Sequence, residues 1–463
     1  MKIILGFDIG TSGVRACIVE RLTTDDPNIL NSDHNKIEQI IAVKHTPVSL
    51  PTATSDNSIL ASPDVWINAL NSTLKALSQV YDLRKITHII GDATSSTVLL
   101  TDKHGARTTE ALMYNDNSAT SEAELISQML SRLSISFTAA SGSSSSLAKS
   151  LFLKNRFHPK NTDNNIICHQ LDFVNQYLCN PQFALGITDE NNALKLGFNS
   201  VDFCWPEWVK ALTDSHHLVL PKVVKPGSIL GIIDPSLAKK FGFSTQAKVC
   251  AGTTDSIAGF LASGAHNTGD TVCSLGSTIA IKTIGNKPVF DAQKGLYSHR
   301  LNNLWLIGGA SNAGGAVFLK YYSKQNLHTL CRSIDISTLP KYLKRKLSYY
   351  PLSEPGERFP IADNGLKPKL PAVPSSSLDF NNPKSLKEHQ EFLLGLSLGL
   401  AQVEALALSK LQQCGDTPIQ YVYSVGGGNL NPVWQWFRKQ LINAEMSIVT
   451  ETEAAFGVTR LVE

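Results

Sequence analysis

Paired cysteines are missing from this sequence. Its eight cysteines, Cys17, Cys168, Cys179, Cys204, Cys250, Cys273, Cys331 and Cys414, are scattered, and no two form a C-x-x-C pair. That excludes a zinc ribbon or a disulfide framework as the organising feature. A surplus of one charge is missing as well. Basic residues number 42 and acidic residues 39, a net charge of +3, and no basic stripe is interleaved with aromatics, so no nucleic-acid partner is expected. No apolar run is read as reaching the roughly 18 residues of a membrane helix. The N-terminus opens on a strand rather than on a basic segment followed by an apolar one. The expectation is a cytoplasmic protein of a reducing compartment, with no membrane partner.

Two common nucleotide signatures are also absent. No G-x-x-x-x-G-K-[ST] occurs, which excludes a P-loop, and no G-x-G-x-x-G links a strand to a helix near the start, which removes support for a dinucleotide fold. Hydrophobic content of 42% and charged content of 17% are those of an ordinary globular protein. At 463 residues the chain exceeds what one core holds, so at least two domains are expected.

What is present begins with "FDIGTSGVRACIVE", residues 7–20. A short apolar strand from Ile3 to Phe7 leads into Asp8, then a turn of Gly10, Thr11, Ser12 and Gly13, then an outgoing strand containing Arg15. A polar loop follows from Thr23 to Asn35. Near residue 270, "VCSLGSTIAIKTI" repeats the plan of strand, glycine, two hydroxyls and strand, which points to two related α/β domains. "ASGSSSSLAKSLFLKNR" reads as a Ser-rich turn feeding a helix. Residues 351–383 read as a long surface loop, and Glu391 to Leu411 as a long apolar helix stopped by Gly415. In "GGGNLNPVWQWFRKQLINA", Asn431 is the N-cap, Pro432 stands at the first helical position, and Trp434 and Trp436 are packing residues.

Backbone N–H groups at tight glycine turns and helix N-termini bind phosphate. Three such turns are candidates: Gly10–Gly13, Gly276-Ser277-Thr278 and Gly426-Gly427-Gly428. Two carboxylates lie beside turns of this kind, Asp8 after the first strand and Asp255 in "GTTDS" at a helix start. Phosphoryl transfer needs held phosphates, a bridging metal and a carboxylate to accept the proton of the acceptor hydroxyl. Asp8 suits Mg²⁺ with waters between, and Asp255 suits the base.

Together, "FDIGTSGVRACIVE", "GTTDSIAGFLASGA", "SLGSTIAIKT", "GGASNAGGAV", "SVGGGNLNPVWQ" and "AAFGVTRL" resemble the FGGY family of carbohydrate kinases over nearly the whole chain and in the family's order. "GTTDS", "GDATSST" and the compact length look most like the small D-ribulose kinases of cyanobacteria and plant plastids, once labelled xylulose kinases. The resemblance implies two ribonuclease-H-like (actin-type ATPase) α/β domains with a cleft between them. Residues 1–262 would bind the sugar and carry the first phosphate turn, and residues 263–463 would bind the nucleotide.

It implies ATP and Mg²⁺ as cofactors, Asp8, Thr11 and Ser12 beside phosphate and metal with Gly10 in the same turn, and Asp255 as catalytic base. Gly276, Ser277 and Thr278 would form the second phosphate loop. Gly309 and Gly314 would line the nucleotide cleft, and Gly427, Gly428 and Asn431 would border adenine. Arg15 stands where many relatives carry a basic residue. Thr94, Ser95 and Asp116 would meet the sugar, with Asp8 and Asp255. Around Asp116, Tyr114 and Ser118 stand where relatives often carry Trp and Arg. The implied reaction is ATP-dependent phosphorylation of the terminal hydroxyl of a ketopentose, D-ribulose to D-ribulose 5-phosphate. The alternatives are a xylulose or polyol kinase, or a sugar- and nucleotide-binding protein without turnover. A monomer or homodimer is expected.

Overall fold

The computed structural model describes residues 1–23, 36–49, 51, 53–54, 58–157, 163–179, 184–344, 346–449 and 451–463. The polar segment expected over residues 23–35 therefore lies almost entirely outside the described residues. The chain forms two compact units, Met1–Ala262 with Thr452–Glu463, and Ser263–Glu451. The change of unit falls after Ala262, but the last residues do not stay with the second unit as the 263–463 reading had them.

The first unit is built on a six-stranded sheet. Strands β1 (Lys2–Ile9), β2 (Gly13–Thr23) and β3 (Lys36–Pro47) form an antiparallel meander. On the other side of β1 lie β4 (His88–Ala93) and then β6 (Lys248–Thr254), both parallel, with β5 (Ile229–Ile232) antiparallel at the edge. Ile4, Leu5, Phe7 and Ile9 are all buried, so β1 is covered on both faces, as a central strand requires. Helix α1 (Asp64–Ser78) buries Trp66, Leu70, Leu74 and Leu77 at helical spacing.

The C-terminal segment closes this unit. Helix α7 (Ala454–Gly457) comes so close to β1 that a Cβ at Gly6 would stand 1.9 Å from the Ala455 carbonyl oxygen. Arg21, 2% exposed, donates to the carbonyls of Val462 at 2.7 Å and Thr459 at 3.0 Å and pairs with Glu38. Arg460 pairs with the other oxygen of Glu38 at 2.8 Å.

The second unit repeats the sheet plan. Strands β7 (Asp270–Leu275) and β8 (Ile279–Gly285) form the hairpin, and β10 (Leu304–Ser311) and β9 (Tyr297–Leu301) extend it antiparallel. On the other side of β7, β11 (Tyr421–Val425) and β12 (Glu445–Ile448) run parallel. The two hydroxyl-tipped hairpins that look alike in sequence hold the same place in their sheets.

Helix α5 (Pro383–Gly415) fills the core of this unit, longer at both ends than the sequence suggests. Asn382 caps it through bonds from the Lys384 and Ser385 amides, and it ends at Asp416, φ +47°. Its most apolar stretch has a mean hydropathy of 1.6, the length and composition of a membrane span, which corrects the reading that no such segment exists. That stretch is 83% buried, so core packing accounts for its apolarity.

Candidate active site

In the first unit, the candidate residues gather at the C-terminal ends of parallel strands, where α/β sheets hold their ligands. The Gly10–Gly13 turn joins β1 to β2, and the Gly10 amide donates to the Gly13 carbonyl at 3.0 Å. Thr11 is half-buried and Ser12 exposed at its tip. Asp8 lies just before it, in register with Arg15 on β2 and with Asp92 on β4.

On β6 the register with β4 shifts between Cys250 and Thr253, which brings Thr253 opposite Asp92 and Thr254 opposite Ala93. Such a bulge re-aims the residues after it. The next residue is Asp255, the first of helix α4 (Asp255–Ala262). Its Oδ1 accepts the Ser256 amide at 2.6 Å.

Asp92 was not singled out from the sequence, yet it is 0% exposed. Apart from the facing carboxyl of Asp8, no group among the described residues bonds either of its oxygens. Burial pushes Asp92 well above the ordinary carboxylate range, and the charges of Asp8 and Asp255 add to this. Burial also pushes Asp8 up to about 6, against the hydrogen bond with Asp92 and the charge of Arg15. The facing carboxyls therefore hold a proton between them more tightly than exposed carboxyls do.

The folded state holds this proton more tightly than the unfolded chain does, so the pair's contribution to stability is present at pH 4 and lost as pH rises through 6. We expect Asp92→Asn to remove the part of that loss that comes from Asp92, while the part from the burial of Asp8 stays. Urea unfolding in metal-free buffer should show the variant gaining roughly 1–3 kcal/mol on the wild type between pH 4 and 7. Parallel stability profiles would contradict the shared proton.

Other candidates are already occupied. The Thr94 hydroxyl, buried, bonds Gln170 Oε1 at 2.6 Å and Thr97 Oγ1 at 2.7 Å. Asp116 is 0% exposed; its Oδ2 accepts the Ile59 amide at 2.6 Å, and its Oδ1 accepts the amide and hydroxyl of Ser118 at 2.8 and 2.5 Å. Both hold turns together in this structure. Ser95, between them in the hydroxyl-rich bend, is half-buried and has no hydrogen-bond partner among the described residues. Arg15 is paired with Glu453 of the C-terminal segment, so its guanidinium is engaged within the unit.

Lys149, also unremarked in the sequence, organises this wall. It lies on α2 (Ser146–Phe157), is fully buried, and donates to the carbonyls of Ser96 at 3.1 Å, Met113 at 2.6 Å and Tyr114 at 3.0 Å. Ser96 has φ +67°, a left-handed backbone that needs such support. Burial pushes the Lys149 ammonium down to about 7, while Asp116 opposes this. Lys149→Met removes the donor to the Ser96 and Tyr114 carbonyls and leaves the Met113 carbonyl with the Asp116 amide alone, at 3.0 Å. We expect a loss of about 2–3 kcal/mol in urea denaturation, and a loss under about 0.5 kcal/mol would contradict this role.

In the second unit, Gly276, Ser277 and Thr278 form the β7–β8 turn, and the Gly276 amide donates to the Thr278 carbonyl at 3.1 Å. Gly314 lies against this turn: a Cβ there would stand 2.5 Å from the Ser277 carbonyl oxygen. Gly309 is elsewhere, in the middle of β10, where a Cβ would meet the Phe359 ring at 2.8 Å. It is a packing glycine and not part of the cavity wall. A cavity of about 460 Å³ is lined by Gly276, Ser277, Gly427, Gly428 and Asn431, with Phe318, Lys324, His328 and Trp434 that sequence reading did not place there.

Asn431 caps helix α6 (Pro432–Leu441): its Oδ1 accepts the amides of Val433 and Trp434, both at 3.0 Å. The amide group so oriented leaves Asn431 Nδ2 as a buried donor with no partner among the described residues, and Trp434 Nε1 is another. An apolar slot with a glycine turn at one end has the chemistry for a heterocyclic base and its phosphates.

The comparisons agree with this architecture. Residues 3–262 match the model of the N-terminal domain of the FGGY family of carbohydrate kinases. A gluconokinase of Bacillus licheniformis is 23% identical over 470 residues, 97% of this chain and 85% of that protein. A xylulose kinase of Staphylococcus epidermidis is 20% identical over 470 residues, 98% of this chain and 85% of that protein. The crystal structure of ligand-bound xylulose kinase from Lactobacillus acidophilus shares the fold, with a TM-score of 0.74 at 16% identity over 100% of this chain and 89% of that one. The fold is that of a sugar phosphotransferase. The chain belongs to the FGGY family of carbohydrate kinases, ATP-dependent enzymes.

Proposed function

We propose that this kinase phosphorylates the terminal hydroxyl of a ketopentose, with D-ribulose as the first substrate. The observation that carries the reading is the placement of Asp255 at the end of β6, electrostatically coupled to Asp8 and Asp92 at the ends of the neighbouring strands. Asp255 accepts the proton of the attacking hydroxyl as the new P–O bond forms. In the first unit the Gly10–Gly13 turn offers amides, with the hydroxyls of Thr11 and Ser12, for phosphate; in the second unit the Gly276–Thr278 turn offers the same, with the hydroxyls of Ser277 and Thr278. The slot beside Asn431, Gly427 and Gly428 takes the adenine.

Among the described residues no group of three His, Cys, Asp or Glu side chains forms a metal cage, so a metal at Asp8 draws other ligands from phosphate and water. The crowded Asp8–Asp92 pair, with no donor for Asp92, fits a divalent cation there. Mg²⁺, when bound, neutralises charge on the transferred phosphoryl group.

The hydroxyl-rich bend at residues 94–97, with Ser95 unpaired, supports a polyhydroxylated acceptor. D-Xylulose is the second reading, favoured by the relatives named xylulose kinases. Competition between equal amounts of D-ribulose and D-xylulose, followed by ³¹P NMR of the products, decides between them. A dominant D-ribulose 5-phosphate signal supports the first reading, and a dominant D-xylulose 5-phosphate signal replaces it with the second.

A further inference from the structure

Lys195 in the first unit is a half-buried cation with no hydrogen-bond or ion-pair partner among the described residues. Lys195 lies in a single 3₁₀ turn, Leu194–Leu196, that packs against α2. The segment leading to it is locked in place. Asp189 Oδ1 accepts the amides of Asn191 at 2.9 Å and Asn192 at 3.2 Å, and Asn191 Nδ2 donates to Thr253 Oγ1 at 3.0 Å. Thr253 is the residue opposite Asp92 and two before Asp255. The turn is thus tied to the strand end that carries the base.

Lys195 is half-buried, and among the described residues its ammonium has no hydrogen-bond or ion-pair partner. Its electrostatic neighbours are Asp255 and Lys149. The contrast with Lys149 is informative, because all three donors of that ammonium are spent on the carbonyls of Ser96, Met113 and Tyr114. A half-buried lysine without a protein acceptor keeps its donors for water or for a bound ligand.

We propose that Lys195 is a substrate-binding residue that donates to carbonyl or hydroxyl oxygens of a neutral ketose acceptor on the Asp255 side. The inference rests on the sugar-kinase reading above. A neutral acceptor is favoured because the positive charge of Lys195 is balanced by Asp255. The sugar is favoured over the phosphates because Lys149, its other neighbour, holds the hydroxyl-rich bend, whereas the phosphate turn is at Gly10–Gly13.

The test is steady-state kinetics of wild type, Lys195→Met and Lys195→Arg, on whichever of D-ribulose, D-xylulose, gluconate and glycerol the wild type phosphorylates best. A hydrogen bond to a charged group corresponds to about 10–100-fold in affinity. The expected result is a KM for a ketose raised about that much in Lys195→Met, an unchanged KM for ATP, an unchanged melting temperature and partial rescue in Lys195→Arg. A raised KM for ATP alone would assign Lys195 to phosphate and overturn the proposal, as would an unchanged KM for the sugar. Best turnover on gluconate would overturn the neutral-ketose contact while leaving the sugar-kinase reading intact. A preference for D-xylulose would remove D-ribulose only, with Lys195 then judged on D-xylulose. Turnover on no sugar would overturn both.

Discussion

Asp255→Asn is expected to lower kcat for sugar phosphorylation by about 10²–10⁴-fold, the usual contribution of a positioned general base. The substitution is nearly isosteric. The carboxamide oxygen still accepts the Ser256 amide, now at 2.6 Å from Asp255 Oδ1, so the start of α4 keeps its geometry. What is lost is the capacity to take a proton. KM for ATP should stay within about twofold, because nucleotide contacts reside elsewhere, and the melting temperature should hold or rise, since a carboxylate crowded by Asp8 and Asp92 is removed. A variant with kcat within about threefold of wild type would reduce Asp255 to a helix-start residue.

The largest stability effect is expected in the second unit. Arg438 on α6 and Glu404 on α5 form a bidentate pair, with both bonds at 2.7 Å and both side chains 0% exposed. Arg438 also donates to Gln435 Oε1 at 2.8 Å. Removing one partner strands the other charge in the core, which costs about 3–5 kcal/mol. Arg438→Met or Glu404→Leu alone should therefore unfold this unit at markedly lower urea. The double substitution should recover most of the loss, because desolvating the pair offsets much of its attraction. Additive losses in the double variant would mean that the two side chains do not interact energetically, and would contradict the pair. Activity serves as the control, since neither residue lines the cavity proposed for the nucleotide.

Local pattern made some of this legible. The two hairpins, the helix-start position of Asp255 and the Asn431 cap each follow from a few adjacent residues, and they stand where the sequence places them. The residues misjudged are those whose role depends on distant chain. Thr94 looks like a free hydroxyl until Gln170 closes on it, and Asp116 looks like a turn acid until the Ile59 amide reaches it. Gly309 resembles a loop glycine but packs under Phe359. Asp92 sits in a motif whose hydroxyls drew attention, and nothing local says that a strand-end aspartate will face Asp8. Nothing local marks Lys149 or Lys195, because burial is a tertiary property. The return of residues 452–463 to the first unit rests on pairs such as Arg15 with Glu453, separated by most of the chain.

The most direct measurement is ADP release by the wild type with ATP and Mg²⁺, with and without D-ribulose, D-xylulose, gluconate or glycerol. The account predicts ATP turnover that rises severalfold or more above the sugar-free rate with a ketopentose, and far less with glycerol. A rate indifferent to every sugar would contradict it.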